Sequence, residues 1–145
     1  MRKGFSLLTA IIFLILIATL SALAISLSTQ SVKQTTDIYL KTQSELLLRS
    51  GTEFAMLAIS GHNFNATCLN SLSIRYPENT ADYTHDINIS ISYIGSNLPA
   101  GCNQYGTDIT TADSNRTVII DTVVSTNPTI QNEQIRLHRR TIQKP

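Results

Sequence analysis

Gly4-Phe5-Ser6-Leu7-Leu8-Thr9-Ala10-Ile11-Ile12-Phe13-Leu14-Ile15-Leu16-Ile17-Ala18-Thr19-Leu20 opens a run with no charge between Lys3 and Lys33. A helix needs about 20 mostly apolar residues to cross a bilayer's hydrocarbon core. Phe5 to Leu27 supplies 23. Within them only Ser6, Thr9, Thr19, Ser21 and Ser26 are polar, and such hydroxyls can bond to the carbonyl one turn earlier. No Pro, and no Gly after Gly4, interrupts the run. Arg2 and Lys3 form its basic flank. Positive residues stay on the cytoplasmic side, so the remainder of the chain is expected to face outward.

Three readings fit such a run. A cleaved secretory signal would leave an exported soluble domain, with Ser21-Ala22-Leu23-Ala24 as the site, but its apolar core is shorter, about 7–15 residues. A plain membrane anchor needs nothing further. The third reading rests on the junction of Gly4 with the apolar run. Arg2-Lys3-Gly4-Phe5-Ser6-Leu7-Leu8 resembles the start of a type IV pilin or pseudopilin, the class III signal. The resemblance implies cleavage after Gly4 by prepilin peptidase, methylation of the new N-terminus at Phe5, and retention in the inner membrane with a periplasmic head. It further implies assembly with other pilin or pseudopilin subunits into a type IV pilus or type II secretion filament, packed through residues such as Leu8, Thr9, Ile12 and Leu16.

The chain departs from that pattern at Thr9. The family usually carries Glu there, five residues into the mature chain, and a carboxylate in lipid is costly unless a partner amine meets it. Thr9 cannot make that pair. The family's exceptions are minor subunits, notably at the filament tip, and Leu7-Leu8-Thr9-Ala10 is similar to those. The helix-softening Pro and Gly of the family are replaced by Ser26 and Ala18. A minor subunit, in a tip or priming position, is therefore what the resemblance implies.

The chain has 145 residues, room for one domain. About 30 go to the membrane segment, and the rest suffices for a small core. A net charge of +1 points to no strongly acidic or basic partner. Cys68 and Cys102 lie beyond the membrane segment, in a compartment expected to be oxidising, and a disulfide is their natural reading. Closing a 35-residue loop would contribute about 3–4 kcal/mol. His62, His85 and His138 are scattered without zinc-ligand spacing.

The helix is expected to continue to about Ser60, roughly 85 Å in all. Lys33, Asp37, Lys41, Glu45, Arg49 and Glu53 recur every four residues with alternating sign, the spacing at which helical neighbours attract. The opposite side carries Val32, Thr36, Tyr39, Leu40, Gln43, Leu46, Leu47, Ser50, Phe54, Leu57 and Ala58, and is expected to cover the chain's own domain from Tyr39 onward. Gly51 falls on the charged side, and Gly61 is the expected stop. Beyond it, Leu72–Tyr76 and Ile87–Tyr93 alternate as strands do. Gly95–Ser114 reads as one long disulfide-pinned loop. Thr117–Ser125 is β-branched and should be a central strand; Ile135–Ile142 gives the last, with Ile135 and Leu137 inward. The expected fold is α+β: one long N-terminal helix on a small antiparallel sheet of three to four strands. The organisation is a leader over 1–4, a membrane or filament-core helix over 5–30, an amphipathic helix over 31–60 and a β-rich periplasmic head over 61–145.

No catalytic constellation, phosphate loop or paired histidines occur, so neither an enzyme nor a cofactor is expected. Asp82, His85 and Asp86 cluster, but in what reads as a solvated turn. Arg136, His138 and Arg140 would share one face of the last strand, either as protection of a sheet edge or as a docking surface for an acidic partner; without interleaved aromatics, nucleic acid is an unfavoured partner. Asp86-Ile87-Asn88-Ile89-Ser90 and Asp113-Ser114-Asn115-Arg116-Thr117 resemble bacterial N-glycosylation acceptors, with Asn115 in a loop the better candidate and Asn88 expected to be hidden in a strand. A single-pass anchored domain that binds a ligand or partner outside any filament remains the alternative function.

Overall fold

A computed structural model describes residues 3–64, 67–78, 81–96, 98–107, 116–129 and 134–144; of 3–6 it describes the backbone alone. The order is α1 (Lys3–Ser60), β1 (Ser71–Tyr76), β2 (His85–Gly95), β3 (Gln104–Gly106), β4 (Arg116–Thr126) and β5 (Arg136–Gln143). The fold is α+β, one long helix and one sheet among the described residues, as the periodicity predicts. The chain divides into two compact units, Met1–Tyr39 and Leu40–Pro145.

Met1–Tyr39 is helix alone over its described residues. Its large apolar side chains from Leu7 to Leu27 are 48–68% exposed. The most apolar 18-residue window of α1 has a mean hydropathy of 2.7 and none of it is buried. The helix is long and apolar enough to cross a membrane. Two of its hydroxyls turn inward to the backbone as expected: Thr19 Oγ1 donates to the Leu16 carbonyl (2.9 Å) and Ser21 Oγ to that of Ile17 (2.8 Å).

In Leu40–Pro145 the sheet runs β1-β2-β4-β5, with β3 paired to β2. All pairs are antiparallel except β2–β3. The centre is the β2–β4 ladder, in register from His85↔Thr126 to Gly95↔Arg116. Strict alternation along β2 sends Ile87, Ile89, Ile91 and Tyr93 to one face, where Val118, Ile120 and Val124 of β4 join them. Ala55 and Ile59 of α1 close that core. Gly61 ends the helix as predicted, its N–H donating to the Leu57 carbonyl (3.0 Å).

Three expectations are corrected. First, α1 covers the sheet with a different face. Of the face expected to be covered, Leu40 is buried and Leu47 packs on the core, but Leu46, Phe54 and Leu57 are 61%, 48% and 70% exposed, whereas Ser44, Gly51, Thr52, Ala55 and Ile59, not expected there, are buried. The buried face is turned by about a third of a turn from the predicted one. The reason is volume. Ile87, Ile89 and Thr122 fill the space between layers from the sheet side, and interiors tolerate no overlap. A Cβ on Gly51 would stand 3.1 Å from Ile87 Cγ2 and 3.4 Å from Thr122 Cγ2. Small helix residues let the backbone approach closely enough for Thr52 Oγ1 to hydrogen-bond Thr122 Oγ1 at 3.1 Å. Gly51 thus serves close packing, not a charged surface. Second, the expected loop Gly95–Ser114 contains β3, which makes five strands among the described residues rather than three or four. Three residues carry no readable period, and β3 forms because Tyr93 N–H finds the Asn103 carbonyl (2.8 Å) beside it. Third, β2 begins at His85; the Asp82, His85, Asp86 cluster is not one solvated turn. His85 is fully buried, and Asp86 lies on the outer face near Arg75, 4.0 Å away.

Candidate functional site

Gly4 and Phe5 fall within the first turns of α1. Leu8, Ile12 and Leu16 follow one another at four-residue spacing and are 58%, 50% and 50% exposed; Thr9 is half-buried. The described apolar side chains from Leu7 to Leu27 therefore present a continuous surface that their own chain leaves uncovered. Residues of this type lose about 25 cal/mol per Å2 on leaving water, so the surface favours lipid or other apolar helices.

Cys68 and Cys102 are joined, with Cα atoms 5.1 Å apart. The bridge ties the segment before β1 to the turn before β3. Asn70 reinforces it: its Nδ2 donates to the Gly101 carbonyl (2.7 Å) and its Oδ1 accepts from Asn103 N–H (3.0 Å). Gly101 has φ +91°, which a side chain would disfavour. Tyr93 donates its hydroxyl to the Leu69 carbonyl (2.7 Å), and Phe64 packs edge-on against the Tyr93 ring (5.7 Å). Burial pushes the Tyr93 phenol above its ordinary pKa, with the Leu69 contact opposing. The region is a stapled knot around one buried aromatic. Asn70 was not singled out in the sequence, where nothing separates it from its many Asn neighbours.

Arg136, His138 and Arg140 do share the outer face of β5. Opposite them stands Asp121 of β4, which nothing local marks out beyond its being the lone acid in a β-branched run. Arg140 donates through Nε (2.7 Å) and Nη2 (2.9 Å) to the Asp121 carboxylate, and His138 Nε2 lies 3.0 Å from Oδ1. The Arg140 hydrogen bond is the main reason that the Asp121 carboxyl is held below its ordinary pKa; burial opposes and His138 assists. Arg140 is held correspondingly more firmly protonated by the same hydrogen bond.

Asn88 is exposed on the outer face, contrary to the expectation that it is hidden. Alternation explains this: Ile87 and Ile89 point into the core, so Asn88 must point out. Its backbone is held between Ser73 and Val123, and its Nδ2 donates to Asp86 (2.9 Å). Asn115 lies outside the described residues. His85 packs under α1 with Nδ1 3.0 Å from Thr84 Oγ1, while Nε2 has no hydrogen bond of good geometry. Burial lowers its pKa, and the nearby Leu40 carbonyl offsets part of this. Among the described residues, no three His, Cys, Asp or Glu side chains gather as a metal site would require.

No family model, curated protein or solved structure matches the chain.

Proposed function

We propose that the chain is a minor, non-catalytic subunit of a type IV pilus or type II secretion filament, matured by prepilin peptidase after Gly4 and methylated on Phe5. One observation carries the reading: an uninterrupted helix begins beside the Gly4-Phe5 junction, and its apolar side chains from Leu7 to Leu27 are uncovered by their own chain. Such a surface suits inner-membrane lipid before assembly and sister helices after it. Leu8, Ile12 and Leu16 supply the lateral contacts. Thr9, unable to neutralise a neighbour's terminal amine, fits a tip or priming position better than a repeated one. The head, Leu40 onward, faces the periplasm, where its disulfide can form.

Mass analysis of the protein from cells tests the maturation step. The expected N-terminus is methylated Phe5, and Gly4→Val should leave the first four residues attached. The exposed helix equally suits lipid alone, which favours a second reading: a single-pass anchor for an extracytoplasmic interaction domain. An intact Met1 start and no co-purification with filament components would establish that reading in place of the first.

A further inference from the structure

We propose that the free edge of β5 is a docking site for an extended acidic segment of another protein, added as a further strand of the sheet. The proposal is independent of the filament reading.

The phase of the ladder fixes which backbone groups are free. Thr126 N–H donates to the Ile135 carbonyl (2.9 Å), and the β4–β5 register runs without a shift from Ser125↔Arg136 to Val118↔Gln143. Directly opposed residues of an antiparallel pair alternate between bonded and non-bonded. Leu137, Arg139, Thr141 and Gln143 therefore spend their backbone groups on β4. Arg136, His138, Arg140 and Ile142 turn theirs away from it, and among the described residues β5 has no second neighbour in the sheet. This is an eight-residue edge with no proline and no bulge. Length, regularity and free donors are what strand addition requires, and most native edges are shortened or bent to prevent it.

Charge selects the occupant. Asp121 engages Arg140 and His138. Arg136 and Arg139 are exposed, and no described residue pairs with either. A second copy pairing through the same edge would set these cations against one another, whereas an acidic strand would meet them on both faces. The inner side has room for it. A groove of about 350 Å3 runs between α1 and β5, lined by Arg49, Thr52, Glu53, Arg139, Thr141 and Gln143. The buried Thr141 Oγ1 has no hydrogen-bond partner there. Alternate side chains of an added strand would enter this groove.

The test uses the full chain in detergent micelles and a short peptide alternating Glu and Val. Binding should protect the amides of Arg136, His138, Arg140 and Ile142 from hydrogen exchange and should weaken as salt rises. The paired change Arg136→Glu and Arg139→Glu, at exposed positions that leave the circular dichroism unchanged, should weaken binding about tenfold and transfer the preference to a Lys-Val peptide. Absence of protection, equal binding of the Lys-Val peptide by the unmodified chain, self-association through β5, or protection of the same amides only by DNA would each overturn the proposal.

Discussion

The two stretches of α1 obey opposite rules. From Leu7 to Leu27 the large apolar residues are all exposed. From Leu40 to Ser60, Leu46, Phe54 and Leu57 again stay exposed, while Ser44, Gly51, Thr52 and Ala55 are buried beside Leu40 and Ile59. Hydrophobicity alone therefore locates neither contact. In the first stretch it specifies a solvent, and in the second it yields to the space that β2 and β4 leave. The lesson is that a helix face packed on a β-branched sheet is chosen by size as much as by polarity.

Substitutions can break that contrast. Ile15→Arg, within the uncovered stretch, should cost about 2.5–3.5 kcal/mol of insertion free energy, read as loss of the chain from the membrane fraction; Leu46→Arg should leave fractionation unchanged. Gly51→Leu should destabilise the head by about 1–3 kcal/mol through overpacking against Ile87 and Thr122, measured by urea unfolding in micelles. Gain of stability there would mean that the helix does not approach the sheet as described.

A smaller effect comes from His85. Its folded pKa is lowered, so the unfolded chain takes up the proton first. The stability it contributes is complete above about pH 6.5 and is lost as pH falls toward the folded value, by up to about 1.4 kcal/mol per pH unit. Unfolding midpoints should show that slope, and His85→Leu should remove it. Asp121, with its pKa also lowered, gives a slope of the same sign only below the ordinary carboxylate range, near pH 4. Smallest of all, Leu57→Ser should change head stability by no more than about 0.5 kcal/mol; a large loss would restore the face that polarity predicts.

Much of the fold was legible. The alternation of Ile87, Ile89, Ile91 and Tyr93 predicts β2 within two residues at each end, because period-two burial is a local signal. Gly61 is likewise readable as a stop. The site was less so. Arg136, His138 and Arg140 fall on one face as their spacing requires, but Asp121, their partner, lies on another strand and announces itself by nothing local. β3 is too short for any period, and His85 reads as polar until the sheet carries it under the helix.

The sequence by itself determined a long helix with an uncharged first half, four strands beyond it and a bonded cysteine pair within reach, since each depends on neighbours along the chain. Only the tertiary structure decided which helical face is buried, which cations Asp121 holds and which edge stays open. Those outcomes depend on the volumes and charges that distant segments bring together, and no stretch read alone contains them.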